Sequence, residues 1–440
     1  MKSTTPVSTG TPDETPKVHA HHFRFLLIAI LLLLGLQLIA RTYSGMAEAT
    51  AFVGAIAMGL ALFRTGIRSL GFWIGVPLLV LAVAGGGLLS DRDLSSLGGS
   101  PFHAPFFFFT ASTVLIQVLR AKRVTEDTLF GTACAYLLIS LAFASAYEAV
   151  EFFYPGSIAG VDATSLHSLF SQLTYFSLVT LTTLGYGDMA PVHPFCQSLA
   201  IVESVAGVMF PALVVARIIA IQATQDRPST NSTEAEKLRE TVISRILFIF
   251  LPTAVLLIPW IDDSPWSRPL AGFILFSLVV AGISFVSERR DVLVGGLGFA
   301  VISIILKILG GSYFDFAISI EVVVISAVVV RMAAWCFQRR AANVSVILTA
   351  TSIYWLIGIA FSDAFYLLNS LHPGAIAHAS GAPLTEPLYF SFMTLTTTGY
   401  GDFTPMIPIA RSLAALESFV GIFFPAIVIA KLVSLYGERD

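Results

Sequence analysis

Thr182-Thr183-Leu184-Gly185-Tyr186-Gly187-Asp188 returns further along the chain as Thr396-Thr397-Thr398-Gly399-Tyr400-Gly401-Asp402, with six of the seven positions identical. Each copy closes a short apolar run rich in aromatics and hydroxyls, and each is followed by a Pro-containing link into a long apolar segment. Two glycines flank each tyrosine. Glycine tolerates left-handed dihedrals that most L-residues avoid, so the pair lets alternate peptide units present their carbonyl oxygens on one side. A lone Gly-Tyr-Gly reads as a turn. A complete string, duplicated between candidate membrane spans, does not.

The surrounding chain is apolar enough for that setting. Of 440 residues, 56% are hydrophobic and 12% charged, and the mean hydropathy is +0.82, which excludes an ordinary soluble protein. The net charge of -3 implies no nucleic-acid partner. Cys134, Cys196 and Cys336 lie in or beside apolar segments without pairing or metal-ligand spacing and read as packing residues. Walker, zinc and Ser-His-Asp signatures are missing from the sequence, so no enzyme activity is expected.

A bilayer core of about 30 Å takes about twenty apolar residues per helix. Such runs fall at 23–41, 47–64, 71–90, 103–120, 128–152 and 193–222, and again at 241–261, 267–286, 291–310, 315–337, 345–369 and 405–436. Shorter runs at 165–182 and 383–396 lead into the two strings and read as re-entrant pore helices, whose following loop must be buried in protein or line a wet cavity. The expected fold is an all-α polytopic membrane protein of two six-helix repeats, each with a re-entrant pore helix and filter loop. A shift of 214 carries Asp188, Pro191, Ser198, Glu203, Gly207 and Pro211 onto Asp402, Pro405, Ser412, Glu417, Gly421 and Pro425. Upstream the shift is 218, from Phe143 and Pro155-Gly156 to Phe361 and Pro373-Gly374, so the first repeat carries four extra residues in its outer turret.

The expected organisation is a disordered tail at 1–22, a peripheral four-helix bundle at 23–127, a pore domain at 128–222, a linker at 223–240, a second bundle at 241–344 and a second pore domain at 345–436. The His19, His21 and His22 cluster in the tail is weak grounds for a metal site. Basic residues gather at Arg64 and Arg68, at Arg120, Lys122 and Arg123, at Arg227, Lys237 and Arg239, at Arg289 and Arg290, and at Arg339 and Arg340. The positive-inside rule then puts both termini in the cytoplasm and both strings on the outer side of a plasma membrane.

The string resembles the selectivity filter of the potassium channel family, whose TVGYG loop replaces an ion's water shell with backbone carbonyls. By that resemblance, the carbonyls of Thr183, Leu184, Gly185 and Tyr186, and of Thr397, Thr398, Gly399 and Tyr400, hold K+. Gly187 and Gly401 complete each filter, and Asp188 and Asp402 stand at the outer mouth, where carboxylates attract cations. Each tyrosine ring is expected to pack behind the filter, its hydroxyl on the preceding pore helix. Leu184 and Thr398 replace the usual Val, which leaves filter rigidity open. K+ is then the transported ligand, and no cofactor is implied. Because a potassium pore takes four filter loops and this chain supplies two, the expected assembly is a homodimer surrounded by lipid. The layout is similar to that of the tandem six-span two-pore channels. Rival readings are a channel-like potassium uptake transporter subunit and a non-conducting regulatory subunit.

Other residues carry narrower expectations. Gly207 and Gly421 lie nineteen residues past the filter aspartates, at the place of a gating hinge or of close helix packing. Pro211 and Pro425 follow one turn later and remove a backbone hydrogen bond. Glu203 and Glu417 are intramembrane acids, read as buried against the pore helix rather than facing a cavity. Glu148 and Glu151 are expected solvated at the outer rim, and Lys307 snorkelling. The fourth span, 105–119, has no charge, and Arg331 is the single basic residue of its later counterpart, so weak or no voltage dependence is expected.

Overall fold

The structure, a computed structural model, describes residues 22–40, 59, 73–80, 103–120, 126–161, 166–223, 234–262, 298, 301–303, 305–307, 309–310, 312–338, 344–377 and 385–437. The expected spans at 47–64 and 267–286, most of those at 71–90 and 291–310, and almost all of the tail at 1–22 lie outside them.

The first repeat contributes α1 (His22–Ala40), α2 (His103–Arg120), α3 (Glu126–Phe153), β1 (Ile158–Ala159), α4 (Leu166–Leu181), β2 (Ala190–Pro191) and α5 (Pro194–Ala223). The second contributes α6 (Glu234–Asp262), α7 (Ser312–Gln338), α8 (Val344–Leu371), β3 (Ile376–Ala377), α9 (Thr385–Leu395), β4 (Thr404–Pro405) and α10 (Pro408–Gly437). Among the described residues, six helices are long and apolar enough to cross a membrane. The chain is an all-α, multi-pass membrane protein. The 16 residues of α4 and 11 of α9 rise about 24 and 17 Å, short of a bilayer core.

Local sequence explains where the elements begin and end. Pro194 and Pro408 open α5 and α10, where a missing N–H costs nothing and the ring presets φ. Beyond α3 and α8, Pro155 and Pro373 prevent continuation, and Gly156 and Gly374 take left-handed φ of 82° and 85°. The turret chain then returns as a two-residue strand. Ile158 pairs with Pro191 and Ile376 with Pro405.

Packing joins the repeats rather than keeping them apart. The inner helix α5 lies against α9, α10 and α6 as well as its own α3 and α4. One core accordingly mixes Phe176, Met189, Val205 and Met209 with Tyr354, Phe392 and Tyr400. A second core fixes α1 and α2 to α3 through Phe23, Ile30, Phe106 and Ala142. All three cysteines are buried, and none forms a disulfide among the described residues.

Candidate ion filter

Both loops leave their pore helices by the same backbone path. Thr183 N donates to Thr180 O at 3.0 Å and Thr397 N to Thr394 O at 3.1 Å, and Gly185 N donates to Val179 O at 3.4 Å as Gly399 N does to Met393 O at 3.1 Å. Thr183, Gly185 and Gly187 have φ of 55°, 54° and 78°; Thr397, Gly399 and Gly401 have 59°, 52° and 80°. Every second residue is thus left-handed. Such alternation turns successive peptide units to one side, the arrangement a row of ion-binding carbonyls requires. Glycine composition pointed to two of the three positions in each loop. The left-handed threonines were not legible, because a β-branched residue adopts that region only when its surroundings hold it there.

The two loops run side by side. A Cβ on Gly185 would lie 1.6 Å from Thr398 O, and one on Gly187 2.2 Å from Tyr400 O. Only glycine admits this approach. The Tyr400 ring stacks on Phe176 at 5.7 Å between centroids, and its hydroxyl hydrogen-bonds Thr180. Both partners belong to α4. For Tyr400, the expectation that the hydroxyl bonds its own preceding pore helix is therefore corrected: the ring reaches across to the first repeat's helix, beside which the two loops closely approach. Tyr186 is 66% exposed against 6% for Tyr400. At the end of each string, Tyr175 donates to Asp188 at 2.9 Å and Tyr389 to Asp402 at 2.7 Å.

The inner helices press against the ends of the pore helices. A Cβ on Gly207 would stand 1.8 Å from Leu181 O, and one on Gly421 1.7 Å from Leu395 O. The same two carbonyls accept from Tyr136 at 3.0 Å and Tyr354 at 3.1 Å. Close approach requires a glycine at both positions. Pro211 and Pro425 lie inside the continuous helices α5 and α10.

Glu203 and Glu417 are fully buried and face the pore helices. Tyr147 donates to Glu203 Oε2 at 2.8 Å, and Ser177 bonds its other oxygen. Ser391 lies 2.6 Å from Glu417 Oε1. Glu148 and Glu151 are also buried, contrary to the solvated rim expected for them. The turret folds over Glu151, which accepts from Gly156 N and Ser157 Oγ, each at 2.6 Å. Glu148 has no hydrogen-bond partner among the described residues. Lys307 does not snorkel: it pairs with Glu321 at 2.8 Å, fully buried.

None of Tyr136, Tyr147, Tyr354, Ser140 and Ser177 stood out singly in the sequence as functional. The repeat itself held a signal, because the shift of 218 carries Tyr136 onto Tyr354 and that of 214 carries Ser177 onto Ser391.

With this geometry in place, comparison with known proteins becomes informative. Residues 128–222 and 342–438 each match the family model described as "Ion channel". Both pore regions are ion-channel-like. A curated relative, Protein LctB of Bacillus caldotenax, is 44% identical over 56 residues, covering 13% of this chain and 41% of that protein. Protein LctB of Geobacillus stearothermophilus is 34% identical over 83 residues, covering 18% and 61% respectively. The chain thus spans between two-fifths and three-fifths of the length of these relatives. No solved structure matches.

Proposed function

We propose that the protein is a potassium-selective channel of the cell membrane, with the pore closed by two copies of the chain, and that the filter carbonyls of Thr183 to Tyr186 and Thr397 to Tyr400 hold the ion. The observation that carries this reading is the seating of Tyr400 on α4. In one chain the second filter is braced by the first repeat's pore helix, and the first filter's Tyr186 has no such brace. The shift of 214 makes Phe390 and Thr394 on α9 the counterparts of Phe176 and Thr180. Thr394 is half-buried where Thr180 is buried, so a second copy placed by two-fold symmetry receives Tyr186 there and completes four loops. Two repeated left-handed backbones, and the match of both pore regions to an ion-channel model, support the same reading.

In this reading both termini lie in the cytoplasm, as the bias of the basic loops supports, Asp188 and Asp402 stand at the outer mouth, and Gly207, Pro211, Gly421 and Pro425 lie along the inner helices where a gate would bend. The uncharged α2 segment at 105–119 leaves little to move in the field, giving a shallow conductance–voltage relation. The deciding experiment is a flux assay on purified protein in liposomes loaded with K+ or with Na+. K+ should pass and Na+ should be largely excluded, and Gly187→Ala with Gly401→Ala should abolish the K+ flux. Equal passage of the two ions, or no flux at all, overturns the proposal.

A further inference from the structure

Ser177 on α4 hydrogen-bonds the Glu203 carboxyl and also sits 2.7 Å from the Ser140 carbonyl oxygen. Ser391 on α9 repeats the arrangement, 2.6 Å from Glu417 Oε1 and 2.7 Å from the Gly358 carbonyl. A serine hydroxyl has one hydrogen, whereas a backbone carbonyl and an ionised carboxylate can only accept. Two acceptor oxygens held at such separations from one hydroxyl leave one contact without a proton. A hydrogen on the carboxyl removes the conflict: the glutamate donates to the serine, and the serine donates to the carbonyl. Ser140 Oγ, 3.0 Å away, then gives its hydrogen to the remaining lone pair of Ser177.

Among the described residues no cation is seen against either acid. Tyr147 and Ser177 bond Glu203, which also lies within electrostatic reach of Tyr136 and Tyr400, and Ser391 bonds Glu417, which lies within reach of Tyr354. An ionised carboxylate without a cation is disfavoured in such a place.

We propose that Glu203 and Glu417 are held as neutral carboxylic acids, each donating its proton to a pore-helix serine and so latching the inner helix to the helix that carries the filter. They are positioning residues, acting on the filter through α4 and α9. The two latches are unequal. Glu203 Oε2 accepts from Tyr147, but Glu417 Oε2 has no partner among the described residues. Phe365, the counterpart of Tyr147 at the shift of 218, stands in its place. The ring environment is otherwise the same: Tyr147 meets Phe176 edge-on at 4.9 Å, and Phe365 meets Phe390 edge-on at 4.7 Å. The second repeat's latch is therefore one hydrogen bond short.

The test compares Glu203→Gln, Glu417→Gln and the double variant with the corresponding Ala substitutions in the full-length protein. Infrared spectra at neutral pH should show the carbonyl stretch of protonated carboxyls, losing intensity stepwise through the single and double Gln variants. Gln, a neutral donor of similar shape, should restore the thermal unfolding temperature and K+ flux that Ala lowers several-fold. Phe365→Tyr should raise the unfolding temperature and Tyr147→Phe should lower it. An infrared band untouched by the double Gln variant, or Gln variants as impaired as Ala ones, overturns the proposal. Only the flux readout rests on the channel reading; if wild-type protein passes no K+, that reading falls, and the infrared and unfolding results still decide this one.

Discussion

Lys307 and Glu321 show what single residues do when the membrane leaves them no water. The ammonium and carboxylate lie 2.8 Å apart and buried. Ser303 Oγ donates to the other carboxylate oxygen at 2.6 Å, and Asp363 on α8 lies within electrostatic reach of both charges. The pair links the chain around 301–307 to α7. Removing the cation strands two buried acids, so Lys307→Met should destabilise the protein by about 3–5 kcal/mol, read as a fall in unfolding temperature in detergent. Lys307→Met with Glu321→Gln should recover part of that loss. Snorkelling was the natural reading of Lys307 alone, because a sequence shows the cost of one intramembrane charge and not its partner in a neighbouring helix.

Among the helices, the inner pair α5 and α10 were expected for their length and their Gly-x-x-x-Pro spacing. That spacing suits either a hinge or a close contact, and distance weighs on the choice. Leu181 O stands where a Gly207 side chain would begin, so Gly207→Ala pushes α5 away from α4. The cost should be about 1–3 kcal/mol of overpacking, with the end of the pore helix displaced. Measured unfolding temperature should drop, and any change in gating in that variant reports the displacement before it reports a lost hinge. The neighbouring Tyr136 and Tyr354 satisfy the carbonyls at the ends of α4 and α9, groups that a helix terminus in the membrane cannot leave bare.

At the scale of the whole molecule, the proposed two-chain pore makes each chain one half of a ring, and the two repeats expose unequal surfaces. On α5, Val205 and Met209 are buried; on α10 their counterparts Phe419 and Phe423 are 55% and 47% exposed, and Tyr186 is exposed as well. Two-fold pairing would cover the Tyr186 end with α9 of a second copy. Purified protein should therefore run as two chains per particle by native mass measurement. Tyr186→Ala should lower the dimer fraction with little change in the unfolding of one chain. Tyr400→Ala, which empties a filled site within the chain, should cost about 3–5 kcal/mol. Equal effects of the two substitutions on single-chain unfolding would contradict the half-ring.

Hydropathy, the duplicated Gly-Tyr-Gly strings and two constant shifts determined by themselves that this chain is a helical membrane protein built twice around paired re-entrant loops, because helix length, glycine dihedrals and repetition are local properties of order along a chain. Tertiary structure alone decided that Tyr400 leans on the other repeat, that Thr183 and Thr397 take left-handed φ, and that Glu148, Glu151 and Lys307 are buried. Those outcomes depend on which surfaces meet across sequence separations of tens to hundreds of residues. A side chain's solvent, and hence its charge partner, is set by neighbours that no local pattern names.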